Sequence, residues 1–381
     1  MHRTPRRIGL AAAATATALV LGACSAGGGG DVPQEGEDGL TPVTLQLQWF
    51  AQGQFAGYYA AVDQGFYEDL GLDVTIVEGG ADIVPQTVLA DGQADFAIAW
   101  VPKALASIEA GAGITNVAQI FERSGTLQVS FADAGIDSVE DLEGANVGSW
   151  GFGNEFELFA GLGEGGLDPM SDVTLVQQAF DMSGLLSGDI DAAQAMVYNE
   201  YAQLLETVDP ATGELYTEDD FTVLDWNEVG TAMLQDAIWA NTEQLEDESF
   251  QDTTTAFIQA SILGWIYARD NPEEAAQIVV DAGSQLGASH QLWMVNEVNG
   301  LIWPSTSGIG SIDEDAWAQT VDISMSTPNQ DGSTVITTDP PDTAYDTTYV
   351  EAALANLEED GVDVTGEGYA PLEVELAEGG Q

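Results

Sequence analysis

This chain of 381 residues has a single cysteine, two histidines and only six lysines and arginines. A lone cysteine excludes an internal disulfide framework, and so few Cys and His leave no set to complete a zinc site. The shortage of basic side chains excludes nucleic acid as a partner, because phosphate backbones are held through clustered Lys and Arg. Against those six cations stand 64 Asp and Glu, for a formal net charge of −58. The acids are scattered, without the spacing of a calcium-binding loop. They read as a solvated surface suited to a halophilic setting, where molar salt screens charge over about 3 Å. With 45% hydrophobic residues and 8% aromatics, the chain is not an acidic disordered polymer.

Three of the six cations, Arg3, Arg6 and Arg7, open the sequence, and an alanine-rich apolar run follows from Ile8 to Leu21. Residues 1–23 therefore read as a secretory signal, too short for a stop-transfer helix. The run closes on Leu21, Gly22, Ala23 and Cys24, which resembles a bacterial lipobox. Cys24 is then expected to be lipidated, which gives an exported lone thiol a purpose. Residues 24–42 include four consecutive glycines and read as a flexible tether.

What remains is long enough for two lobes at roughly 100 to 200 residues each. From Thr44 onward, short apolar runs alternate with longer helical segments, which predicts an α/β fold with mostly parallel sheets. Strands are expected at Thr44–Trp49, Asp73–Val77, Asp95–Trp100 and Asn116–Phe121, with helices at Phe55–Gln64, Pro85–Asp91 and Lys103–Ala110 between them. A second set follows Leu127–Phe131, with a helix start at Ser138–Leu142, strands at Asn146–Trp150, Val173–Gln178 and Ala193–Tyr198, and a helix at Glu155–Leu162. Phe221–Trp226 and Ala232–Trp239 look like strands running back towards the first lobe, and the chain is mainly helical from Ser249 on. The expected division is 43–131 for the first part of lobe I, 132–226 for lobe II, 227–360 for the rest of lobe I, and 361–381 for a frayed acidic tail.

The stretch Gln46 to Gly80 carries Gly65, Phe66, Tyr67, Glu68, Asp69, Leu70, Gly71, Leu72, Asp73 and Val74 between a helix and a strand. Further turns read Gly92-Gln93-Ala94-Asp95, Asp141-Leu142-Glu143-Gly144 and Gly188-Asp189-Ile190-Asp191-Ala192. Physically these are returns from helix to sheet, with glycine where a positive φ is needed. Together they resemble solute-binding proteins of ABC importers, in the group for thiamine-pyrimidine precursors, riboflavin, aliphatic sulfonates and nitrate. The resemblance implies a two-lobed, periplasmic-binding-protein-like (type II) fold with a ligand cleft between the lobes. It also implies an ABC permease and its ATPase as partners, a lipid-anchored place on the outer face of the cytoplasmic membrane, and a monomer.

In open α/β sheets, ligands sit beyond the carboxyl ends of the strands. The residues there are rich in aromatics, and flat rings stack on flat heterocycles. The candidate ligand-binding residues are Gln48, Trp49, Phe50, Gln54, Phe55, Tyr58, Trp100, Phe152, Asn154, Glu155, Tyr198 and Glu200. Trp150 and Asn199 lie in the same segments. Glu155 or Glu200 is placed to pair with an aminopyrimidine edge, and Gln54 and Asn154 to read ring nitrogens or carbonyls. Sulfonate and nitrate call for positive charge, which only Arg123 offers near the expected cleft. A thiamine pyrimidine precursor of the hydroxymethyl or formylamino type therefore fits best, with riboflavin next.

No enzyme is expected, and no cofactor or metal. Relatives implied by the resemblance include pyrimidine synthases that use His with a Cys-rich segment, and beyond the leader only His290 is present. Gly151-Phe152-Gly153 is a lone G-x-G, short of a dinucleotide fingerprint, and no G-x-S-x-G elbow occurs.

Overall fold

A computed structural model describes residues 39–381; the signal, Cys24 and most of the tether lie outside the described residues. The chain begins with β1 (Thr41–Gln46), α1 (Ala56–Asp63), α2 (Phe66–Asp69), β2 (Leu72–Val77), α3 (Pro85–Ala90), β3 (Phe96–Trp100), α4 (Val101–Glu109) and β4 (Ile114–Gln119). It then crosses to β5 (Thr126–Phe131), β6 (Asn146–Ser149), α5 (Phe156–Glu164), β7 (Thr174–Gln177), α6 (Ser183–Ser187), β8 (Ala192–Met196), α7 (Glu200–Leu205), β9 (Phe221–Asp225) and α8 (Trp226–Val229). The return strand is β10 (Asp236–Asn241). The helices α9 (Glu248–Asp270), α10 (Pro272–Asp281), α11 (Ala288–Ile302), α12 (Glu314–Ser326) and α13 (Thr348–Glu359) complete it. No helix among the described residues is long and apolar enough to cross a membrane.

The strands form two five-stranded sheets, ordered β2-β1-β3-β10-β4 and β7-β6-β8-β5-β9. Each sheet is parallel except where a crossing strand enters it antiparallel: β10 between β3 and β4, and β5 between β8 and β9. Helices cover both faces of the first sheet's centre, so β3 reads as an uninterrupted apolar run rather than an alternating one. The turn motifs do the same job in both lobes. Asp95 Oδ2 accepts the Thr44 N–H at 2.7 Å, and Asp191 Oδ2 accepts the Asn146 N–H at 2.7 Å. Each aspartate thus pins the start of its own strand to the neighbouring one. Gly71 and Gly144 both sit at φ +81°, where a side chain would be strained.

The two crossings between the sheets, after β4 and before β10, are tied to each other. Asn227 Nδ2 donates to the Ser124 carbonyl at 2.8 Å, and Gln235 Oε1 accepts the Gly125 N–H at 2.9 Å. Helix α11 leans on both lobes: Met294, Val295 and Val298 are buried in the core of the first, while Trp293 packs with Tyr201 and Phe221 of the second.

Three expectations are corrected. The strand at 126–131, assigned to the first part of lobe I, is an inner strand of the second sheet, so the lobes divide between β4 and β5. Phe221–Asp225 does not run back; it forms the edge of the second sheet, and only Asp236–Asn241 returns. An apolar run buried on both faces reads alike in either sheet, so periodicity could not assign it. The segment 361–381 is docked rather than frayed. Its Leu372 N–H donates to Asn296 Oδ1 at 2.7 Å, its Gly379 N–H to the Glu206 carbonyl at 3.0 Å, and Val364 is buried.

Candidate functional site

A cleft of about 1000 Å³ opens where the carboxyl ends of the two sheets face each other. Lobe I supplies Gln48 and Trp49 after β1, the loop from Gly80 to Gln86 after β2, Trp100 at the end of β3, and Lys103 on α4. Lobe II supplies Trp150 to Phe156 after β6, Phe180 after β7, and Met196 to Glu200 after β8. Asn329, Thr334 and Val335, beyond α12, complete the rim.

The aromatic walls meet at Phe180. Its ring lies 5.1 Å from Trp49 and 6.0 Å from Trp150, nearly parallel to the latter at 26°. Facing the cleft from lobe II is the turn Gly151-Phe152-Gly153, with φ of 65°, 55° and 88°. A phenylalanine in the left-handed region is rare and strained. Two side chains hold it there: Glu155 Oε2 accepts the Gly153 N–H at 2.8 Å, and Asn154 Nδ2 donates to the Gly151 carbonyl at 2.7 Å. Phe152 is 88% exposed.

Asp236, the first residue of β10, lies beneath the opposite wall and is only 2% exposed. Its Oδ1 accepts from Gln48 Nε2 at 2.6 Å and Trp100 Nε1 at 2.8 Å, and its Oδ2 accepts from Gln54 Nε2 at 2.9 Å. Burial pushes its carboxyl up to about 7, against the pull of these three bonds and of the nearby Lys103 charge. Lys103 is the cation of the cleft. Its Nζ lies 4.9 Å from the centre of the Trp100 ring. Burial pushes it down to about 8, while the charges of Glu155 and Asp236 hold it up. At the back of the cleft, Glu200 accepts the Met196 N–H at 3.0 Å and Asn199 Nδ2 at 2.8 Å, and burial raises its carboxyl. Asn199 Oδ1 in turn meets His290 Nε2 at 3.0 Å, whose Nδ1 pairs with Glu206 at 2.9 Å. His290 is thus a buried link between α11 and α7.

Among the sequence candidates, the cleft brings together Gln48, Trp49, Gln54, Trp100, Phe152, Asn154, Glu155, Tyr198 and Glu200. Phe55 and Tyr58 are elsewhere: both are buried in the lobe I core, Tyr58 edge-on to Trp265 at 5.5 Å. They lie three apart at the head of α1, on the face that packs against α9. Phe50 stands beside Trp49 and next to Gly80 without lining the cleft. Arg123 is also elsewhere, donating to the carbonyls of Gly300, Leu301 and Pro304. Sequence reasoning missed Lys103, Phe180, Gln52 and Asp236. For Lys103 a signal existed, since it lies in the first turn of the helix after a strand already placed at the site.

A family profile described as NMT1/THI5 like matches residues 52–275, more than half of the chain. A formylaminopyrimidine-binding protein of Halalkalibacterium halodurans is 23% identical over 64% of this chain and 71% of its own length. A riboflavin-binding protein of Chloroflexus aurantiacus is 26% identical over 74% of this chain and 79% of its own. The periplasmic aliphatic sulphonate binding protein of Escherichia coli superposes with a TM-score of 0.56 at 16% identity, over 88% of this chain and 94% of that one. The two lobes and their facing sheets are those of the periplasmic binding protein fold, and the chain belongs to the NMT1/THI5-like family.

Proposed function

We propose that this chain is the extracytoplasmic solute-binding lipoprotein of an ABC importer, capturing a flat heteroaromatic vitamin precursor and delivering it to a permease. The observation that carries the reading is the set of rings Trp49, Phe180 and Trp150 spanning the two lobes above a hydrogen-bonding floor. Such walls stack on a flat ring, while polar groups at its edge set its orientation. Lys103 stands among Asp82, Glu155 and Glu200 of the lining, with Asp236 just behind. That balance disfavours sulfonate or nitrate, which need surplus positive charge or many donors.

A thiamine pyrimidine of the hydroxymethyl or formylamino type is the first candidate, in keeping with what the Halalkalibacterium relative is named for. Riboflavin is the second, favoured by the cleft volume of about 1000 Å³, at the upper end of ligand pockets that run from about 300 to 1,000 Å³. Mass spectrometry of small molecules released on denaturing the purified protein tests the reading. A pyrimidine or a flavin is expected, and recovery of an aliphatic sulfonate would overturn it. Lipidation of Cys24 ties the protein to the membrane, so Cys24→Ser is expected to move it into the soluble extracellular fraction. The acidic surface opposes self-association at low salt and suits a monomer.

A further inference from the structure

We infer that Asp236, outside the cleft lining, sets the hydrogen-bonding polarity of the lobe I wall and so selects a ligand whose ring edge carries N–H donors. This rests on the flat-ring reading above. Both oxygens of Asp236 accept, Oδ1 from Gln48 and Trp100 and Oδ2 from Gln54, so the side-chain amides of Gln48 and Gln54 both turn their nitrogens to it. Orientation then passes outward. Gln54 Oε1, facing away from Asp236, accepts Gln52 Nε2 at 2.7 Å. Gln52 is thereby forced to present its own oxygen. Among the described residues no donor reaches Gln48 Oε1 or Gln52 Oε1, and both residues line the cleft. Two carbonyl oxygens are left to meet the ligand, and both call for N–H groups.

The amino group of an aminopyrimidine offers two N–H donors, and the imide N–H of a flavin offers one. A ring edge bearing only acceptors offers none, and would leave buried lone pairs opposed. Asp236 acts through the glutamines and is a positioning residue. Replacing it by its neutral isostere reverses the relay. The introduced amide must donate to Gln54, which turns over, and Gln52 follows, now presenting nitrogen to the cleft.

The experiment is a calorimetric titration of the wild-type chain and Asp236→Asn with two matched pairs. One pair is 4-amino-2,5-dimethylpyrimidine and its 4-methoxy counterpart; the other is riboflavin and N3-methylriboflavin. In the wild type, the N–H-bearing member of whichever pair binds is expected to be at least about tenfold tighter. In Asp236→Asn that ratio is expected to fall to about one or invert. An equal loss for both members would mean a merely structural role and would overturn the inference, as would an unchanged ratio. If Asp236→Asn does not fold, Gln52→Met removes the outward oxygen without touching Asp236. It must then lower the ratio in a variant that still unfolds cooperatively, and a preserved ratio overturns the inference. Binding without preference in the wild type defeats this inference alone, whereas no binding of any of the four defeats the flat-ring reading itself.

Discussion

On the lobe I wall, Gln48 and Gln54 from the connection after β1 and Trp100 from the end of β3 are pinned to one buried carboxylate, whereas on the lobe II wall Phe152 stands 88% exposed on a turn held by its own neighbours. The first wall is fixed by bonds that span 136 to 188 residues of sequence. The second is held by bonds that span two or three. A wall made of long-range bonds is part of the fold, so damage to it reaches stability as well as binding. A wall made of a strained local turn can change with little effect on the rest of the molecule.

The sharpest way to break this comparison is Asp236→Ala. It strands three N–H donors, and a buried donor without an acceptor costs about 1–3 kcal/mol. A loss of about 3 kcal/mol is expected in urea unfolding, with ligand binding lost as well; a loss below about 1 kcal/mol would show the wall to be less fixed than its bonds imply. Phe180→Ala, on the lobe II side, is expected to weaken ring binding by about tenfold while changing stability by less than about 1 kcal/mol, since the ring is 47% exposed. Equal effects on stability from these two substitutions would erase the contrast. Phe152→Gly is expected to raise stability by about 1 kcal/mol, because glycine is at ease at φ 55°, and to lower ligand affinity. Opposite signs in the two measurements are the mark of a ring kept for function at the expense of the backbone.

Titration gives a smaller effect, spread over the molecule. Burial holds the carboxyls of Asp236, Glu122, Glu157 and Glu297 up to about 7 in the folded chain. Each has its folded pKa above its unfolded one, so its contribution is fully present below about pH 4 and is lost as pH rises through about 7. The melting temperature is therefore expected to fall between pH 5 and pH 8 in molar salt, where screening mutes the surface acids. An unchanged melting temperature over that range would show these groups to be ionised throughout. At fixed pH, the melting temperature should climb with NaCl, and equal stability at low and molar salt would remove the high-salt reading of the net charge of −58.

Much of the architecture was legible because its signals are local. The turns ending in Asp95 and Asp191 announce a return to the sheet, and the same side chains were found closing it. Strand-end aromatics pointed to the cleft because α/β sheets present their carboxyl ends to ligands. The failures have a common cause. Phe55 and Tyr58 also follow a strand, yet they lie on the helix face turned to the core. Asp236 looked like one of 64 acids, and nothing in its neighbourhood shows that its partners come from the far end of the chain. Arg123 was the cation expected near the cleft, yet it is bound to backbone carbonyls elsewhere, and the packing of α4 puts Lys103 there instead.

The most direct test of the central claim is a titration of the purified protein, freed of any bound molecule, with 4-amino-5-hydroxymethyl-2-methylpyrimidine and with riboflavin, following tryptophan fluorescence. Trp49, Trp100 and Trp150 all line the cleft. Saturable quenching by at least one of them at one ligand per chain, weakened at least about tenfold by Trp49→Ala, is what the account predicts. Unchanged fluorescence and no heat with either ligand would contradict it.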